Sequence, residues 1–172
     1  AGNAPYIPRL FRDVYTGVDV RQKKALPVGE LHKLLYEDPG SEQLRRTQAM
    51  AALMFQFCGM PFVDFAYMEK SALQQNVLHY NRVKTRTPMS IEVLDTAKEL
   101  INQLRNKHIP LPGYPDYLFN VLSGNKKRKE ESAYREYQSA LRLFNNRLKG
   151  LARALHLSSL VTSYTLRHSW AT

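Results

Sequence analysis

The chain has 172 residues, 44% of them hydrophobic, and carries 25 Lys and Arg against 15 Asp and Glu, a formal charge of +10. That size and apolar content suit one domain with its own core and exclude disorder throughout, and no apolar run approaches the roughly 18–20 residues that span a bilayer. The charge points toward a polyanionic partner, because each neutralised phosphate releases condensed counterions; solvated surface cations are the plainer alternative.

Residues 1–25 read as an extended arm or linker, with Pro5, Pro8, Gly17 and the basic stretch RQKKA at 21–25. Their start, AGNAPYIPRLF, lacks the charged-then-apolar order of a secretory signal, so the expected location is cytoplasmic. Residues 26–172 form the folded domain. A helix is predicted after Pro27, with Leu31, Leu34 and Leu35 on one face, ending at the DPG of 38–40. Ser41 is placed to cap a longer helix whose stripe is Met50, Leu53, Met54 and Phe57 and whose stop is Gly59. A short helical turn follows at 61–68, with Pro61 at its first position and Phe62, Phe65 and Ala66 inward.

Between 77 and 93 the apolar period falls from about 3.6 to 2, and VLHYNRV and PMSIEV read as two strands joined by the polar KTRT at 84–87. Leu94 to about Lys107 returns to helix, with Asp95 as cap and Ala97, Ile101 and Leu104 inward, until the Pro-rich IPLPGYPDY breaks it. SGNKKRKEE at 123–131 has the composition of a mobile basic loop. The strongest helix comes next, its stripe being Tyr134, Tyr137, Leu141, Phe144, Leu148, Leu151 and Leu155. A last helix starts near Thr162 or Ser163. The fold class is therefore α+β, mostly helical, with one small antiparallel sheet.

Several catalytic templates are missing. The phosphate-binding and dinucleotide glycine motifs, the nucleophile elbow and the HExxH zinc motif do not occur, and the His residues are scattered without metal-ligand spacing. Cys58, the single cysteine, forms no internal disulfide and no zinc site, and at the end of an apolar run it reads as buried and inert. No cofactor and no metal is expected.

Three basic constellations remain. Tyr164, Arg167 and His168 stand at i, i+3 and i+4, so they share a helix face near an N-terminus whose free N–H groups favour an anion. Arg82, Lys84 and Arg86 crowd the hairpin tip, where a lysine is suited to donate a proton and the arginines to meet DNA. Lys126, Lys127 and Arg128 in the 123–131 loop, with Arg135 and Arg142 on the polar face of the long helix, could hold a phosphate backbone without reading sequence. Each group taken alone also fits a solvated surface or a salt bridge.

Three stretches in order, FQFCGMPFVDFAYMEKSAL at 55–73, YNRVKTRTPMSIEV at 80–93 and YTLRHSWAT at 164–172, resemble the catalytic domain of tyrosine recombinases, the phage-integrase family, and more closely the integrases of conjugative and other mobile elements. The resemblance covers nearly everything from Leu26 onward and implies that family's fold. It also implies double-stranded DNA as partner and conservative strand exchange: a tyrosine attacks the scissile phosphate, leaving a 3′-phosphotyrosyl link and a free 5′-hydroxyl, without metal or ATP. Lys84 matches the hairpin general acid and Arg167 the second phosphate-clamping arginine; His168 follows that arginine as the family's helix-holding histidine. Tyr164 takes the slot where most members have His, and a phenol there hydrogen-bonds but is a poor base near neutral pH.

The pattern departs from the family in two places. The first family arginine falls at Pro61, or at Cys58 in the mobile-element wording, which leaves Arg82 and Arg86 as the nearest replacements in sequence. The family's further His or Trp and its nucleophilic tyrosine would lie beyond Thr172, so the chain as written is expected to be a truncated, monomeric piece that binds DNA without cutting it. Its parent would be an enzyme working as a tetramer on paired sites. A naturally disarmed DNA-binding module is the alternative.

Overall fold

A computed structural model describes residues 25–172, so all of the expected arm except Ala25 lies outside the described residues. Along these residues run α1 (Val28–Tyr36), α2 (Glu42–Gln56), α3 (Phe62–Ala66), β1 (Leu73–Gln74), β2 (Val77–Asn81), β3 (Pro88–Glu92), α4 (Asp95–Leu104), α5 (Glu131–Ala154) and α6 (Ser163–Ala171). A 3-10 turn at Lys70–Ala72 precedes β1, and the three strands form one antiparallel sheet in the order β1-β2-β3.

The core is built around α2, against which α1, α4, α5 and α6 all pack. Its burial is wider than a single stripe: Thr47, Gln48, Ala49, Ala51, Ala52, Leu53 and Met54 are buried, while Met50 is half-buried. The three alanines let neighbouring helices approach, and Gln48 closes the end of α1 by donating to the carbonyls of Leu34 (3.0 Å) and Glu37 (2.7 Å). Ser41 does stand at the N-cap with extended backbone, but its hydroxyl makes no capping bond. Asp38 instead takes the Gly40 N–H at 3.0 Å and the Arg45 side chain at 3.0 Å.

Beyond α2, Cys58 and Gly59 both adopt left-handed backbone, with φ of 58° and 62°. This turn lifts Cys58 off the apolar face, so it is half-buried and not fully buried as the sequence suggested. Pro61 is the N-cap of α3 rather than its first helical residue. Phe62 stacks on Phe144 of α5 with centroids 4.8 Å apart, and Phe65 stacks on Phe119 at 4.1 Å, which locks this five-residue helix onto the core.

In the sheet Leu78 pairs with Ile91 and both are buried, while the next pair, His79 and Ser90, is exposed and joined by a 3.0 Å side-chain hydrogen bond. β1 adds a short third strand that sequence reading did not find, since two residues cannot display alternation. α4 is capped by Leu94, and Asp95 is its first residue, paired to Lys98 at 2.7 Å. It ends at Leu104 instead of Lys107 because the Asn106 N–H turns away to the carbonyl of Leu118 (2.8 Å). On α5, Phe144, Leu148 and Leu151 are buried, with Leu155 buried just past its end, and Tyr137 and Leu141 are half-buried. Tyr134 is 55% exposed, where the first turn of α5 projects beyond the core.

Candidate functional site

The site is organised around a carboxylate. Asp64 lies on α3 between the two anchored phenylalanines and is 3% exposed. Its Oδ1 accepts the Val83 N–H at 2.8 Å, which ties the base of the β2–β3 hairpin to α3. Its Oδ2 is buried with no hydrogen-bond partner among the described residues. Burial raises the Asp64 pKa, while the Val83 N–H and then the guanidinium charges of Arg82, Arg167 and Arg128 oppose that rise. The charges of three arginines, from the hairpin, α6 and the 123–131 loop, thus act on one acid, though none forms an ion pair or hydrogen bond with it among the described residues.

Each arrives by a separate device. Arg167 is half-buried on α6 and donates from Nη1 to the carbonyl of Gly59 at 3.1 Å, so the left-handed turn after α2 fixes its reach. Arg128 lies over the Tyr67 ring, 5.0 Å from its centroid, and stands 3.9 Å from Glu69. Arg82 is half-buried beside Tyr80, whose phenol is pushed up to about 12 by burial and then by the Asp64 charge. A cavity of about 360 Å³ opens beside the carboxylate, with Asp64, Tyr67, Tyr80, Val83, Arg86 and Arg128 in its wall.

The hairpin tip differs from the expected crowd of three cations. Arg82 donates its N–H to the carbonyl of Thr87 and accepts from the Arg86 N–H on its own carbonyl, both at 2.9 Å, which draws it inward. Lys84 and Arg86 remain exposed, Arg86 in left-handed backbone at φ 59°. Lys84 is one residue beyond Val83, so it rises from the same hairpin base that Asp64 holds beside the arginines.

On α6 the expectation of a backbone anion site is corrected. Thr162 forms a reciprocal capping box with Thr165, taking the Thr165 N–H at 3.2 Å, and Asn145 takes the Ser163 N–H at 2.9 Å. Those two N–H groups are occupied, and Arg167 is the cationic side chain on this face. His168 is half-buried, with Nε2 buried and without a hydrogen-bond partner among the described residues. The Tyr164 ring meets it edge-on at 4.3 Å.

The remaining basic residues are less uniform than their composition implied. Lys126 is paired with Glu136 at 3.2 Å and Arg135 with Glu131 at 2.7 Å. Lys127 is exposed, and Arg142 is exposed and donates to Ser139 at 3.3 Å. Sequence reasoning missed Asp64, whose signal was one acid inside an apolar helix, and it gave Arg128 only a peripheral role. Of the two suggested replacements for the first family arginine, Arg82 faces Asp64 and Arg86 lines the adjacent cavity. No group of three metal-binding side chains occurs among the described residues, and no helix among them is long and apolar enough to cross a membrane.

A mostly helical body with this small three-stranded sheet has the architecture of a tyrosine-recombinase catalytic domain. The crystal structure of XerA recombinase superposes with a TM-score of 0.56 at 17% identity, covering 86% of this chain and 47% of that one. The chain thus spans about half the length of that protein. No family model matches the sequence, and neither does any curated protein.

Proposed function

We propose that the chain is the catalytic-domain portion of a site-specific DNA recombinase, of the kind that mobile elements use for integration or excision. The observation that carries this reading is that Asp64, tied to the foot of the Lys84 hairpin through the Val83 N–H, lies within the charge field of Arg82, Arg128 and Arg167. Three guanidiniums against Asp64 and the Glu69 carboxylate 3.9 Å from Arg128 leave an excess of one positive charge, suited to a phosphodiester and to the extra charge of its pentacoordinate transition state.

In the proposed reaction a tyrosine releases its phenolic proton to solvent as its oxygen bonds to the scissile phosphorus, and the bond from phosphorus to the 5′-oxygen breaks. Lys84 gives its proton to that leaving oxygen, and the phosphate stays on the enzyme as a 3′-phosphotyrosine. Arg167 and one of Arg82 or Arg128 hold the non-bridging oxygens. His168 and Tyr164, in edge contact, position α6 rather than move protons. None of the ten tyrosines is assigned as nucleophile; duplex DNA is the proposed partner, and strand exchange is proposed to take place in a tetramer on paired sites. Lys126, Lys127, Arg135 and Arg142 add backbone contacts, Arg135 in competition with Glu131 and Lys126 in competition with Glu136.

A second reading is a DNA-binding module without cleavage, favoured by Cys58 and Pro61 standing where the resemblance expects an arginine. A nicked suicide duplex separates the two. Protein carrying the full coding frame is expected to be trapped as a covalent adduct, whereas steep salt-dependent binding with no adduct supports the second reading. DNA affinity without salt dependence sinks both. Arg167→Ala should abolish the adduct and leave most of the binding. Lys84→Ala should recover cleavage on a 5′-bridging sulfur, which leaves without a proton.

A further inference from the structure

Away from Asp64, a second cavity of about 580 Å³ opens between α2, the end of α4 and the 120–125 segment. Its wall holds Arg46, Arg105, Lys107 and His108 with three asparagines, a glutamine and a serine, and it contains no carboxylate, no aliphatic side chain and no Phe, Tyr or Trp. Arg46, Arg105 and Lys107 are exposed and form no ion pair among the described residues. Two acids adjoin the wall, and each is paired with a lysine outside it. Lys70, which donates to the His108 carbonyl at 2.9 Å, is paired with Asp116 at 2.7 Å. Glu136, which accepts the Ser123 N–H at 2.6 Å, is paired with Lys126.

The wall is also held in shape. Asn106 is buried, its N–H donates to Leu118 and its Oδ1 accepts the His108 N–H at 3.0 Å, so the strip bearing Arg105, Lys107 and His108 is fixed from both sides. Cations gathered without a counter-carboxylate complement an anion, and amide groups add hydrogen-bond donors. A wall without Phe, Tyr or Trp offers no surface on which a base can stack, so the chemistry selects phosphate over base.

Asn125 lines this cavity while Arg128 faces Asp64. Three trans peptide steps keep their Cα atoms within about 11 Å, on the order of three nucleotides of rise along one strand. We propose that this cavity is a second backbone-phosphate site, gripping the same duplex a few nucleotides from the scissile phosphate; the proposal rests on the recombinase reading.

The test compares the 172-residue chain with its Arg105→Gln/Lys107→Gln variant, both exposed positions, by binding to a duplex across a range of salt. The variant's log–log salt slope is expected to be shallower by about 1.8, two contacts at about 0.9 each, and adding Arg46→Gln should remove about 0.9 more. An unchanged slope in a variant that still binds overturns this site alone, whereas a wild-type chain with no salt-dependent duplex binding overturns the recombinase reading itself. Inorganic phosphate tests the other source of the same chemistry. The duplex is expected to move the backbone amide resonances of 105–108, and their saturation by free phosphate while the duplex leaves them unmoved would assign the cavity to a small anion and sink the proposal.

Discussion

Replacing Gly59 by alanine tests the joint that sets Arg167. Gly59 has φ of +62°, and a Cβ there would stand 3.1 Å from the Trp170 Cβ and 3.3 Å from the Arg167 carbonyl oxygen. The left-handed backbone costs a non-glycine residue about 1–2 kcal/mol, and pressing α6 outward by a few tenths of an ångström adds about 1 kcal/mol. The expected loss is therefore about 2–3 kcal/mol, which for a domain of this size lowers the melting temperature by about 4–12 °C. Urea and thermal melts read it, with Gly113→Ala as the reference: φ there is +83° and the added methyl meets nothing within 4 Å, so that variant carries the backbone cost without the packing cost. Because the Gly59 carbonyl accepts from Arg167, the same substitution should also reduce covalent-adduct yield in the parent protein. A Gly59→Ala protein that melts with the wild type refutes the joint. Equal losses at Gly59 and Gly113 would leave the backbone term standing and remove the contact with α6.

Three further outcomes follow from local chemistry. Thr162→Ala removes the half of the capping box in which the Thr162 hydroxyl takes the Thr165 N–H, and should cost about 1 kcal/mol in a urea melt, with Thr162→Ser close to wild type. Glu30 is held at about 2 from an ordinary 4.5, chiefly by the Ser158 hydroxyl, then by Ser159 and the Ser158 N–H. A lowered acid stabilises the fold above 4.5 and loses that contribution as pH falls toward about 2, so Glu30→Gln should flatten acid destabilisation in that window. Asp64 is shifted the opposite way, upward from 3.8 by burial, so its contribution is present below 3.8 and is lost as pH rises through its folded value. Asp64→Asn should then gain stability relative to wild type as pH rises toward neutrality, and a constant difference across pH would show that the carboxylate is not strained by burial.

How far the sequence carried the fold depends on length and locality. α5 and α4 were legible because their apolar residues repeat over several turns, and the hairpin because Leu78, Tyr80, Met89 and Ile91 alternate across a polar link. β1 was not, having two residues and no pattern of its own. Helix ends shifted where tertiary bonds compete with the local chain, as when Asn106 gives its N–H to Leu118. The site divided in the same way. Lys84 and Arg167 could be picked out from neighbouring residues, but Asp64 and the inward role of Arg128 arise from contact between segments some sixty residues apart in sequence, where no local period operates.

The buried charge of Asp64 then has a physical reason that burial alone does not supply. A carboxylate at 3% exposure with one unpartnered oxygen works against folding, and a smaller apolar residue between Phe62 and Phe65 would pack there without it. Without that acid, however, the charges of Arg82, Arg128 and Arg167 would repel one another with one carboxylate fewer to offset them. With it, part of that repulsion is offset before any ligand arrives, while the Gly59 carbonyl holds Arg167 and the Tyr67 ring holds Arg128, so an incoming phosphate meets charge already in place. The Val83 N–H bond ties the same carboxylate to the base of the hairpin that carries Lys84. Stability given up at Asp64 is thus converted into preorganised geometry. The Asp64→Asn protein should accordingly be the better folder at neutral pH and the poorer phosphate clamp, two effects of opposite sign that a purely structural role for Asp64 would not produce.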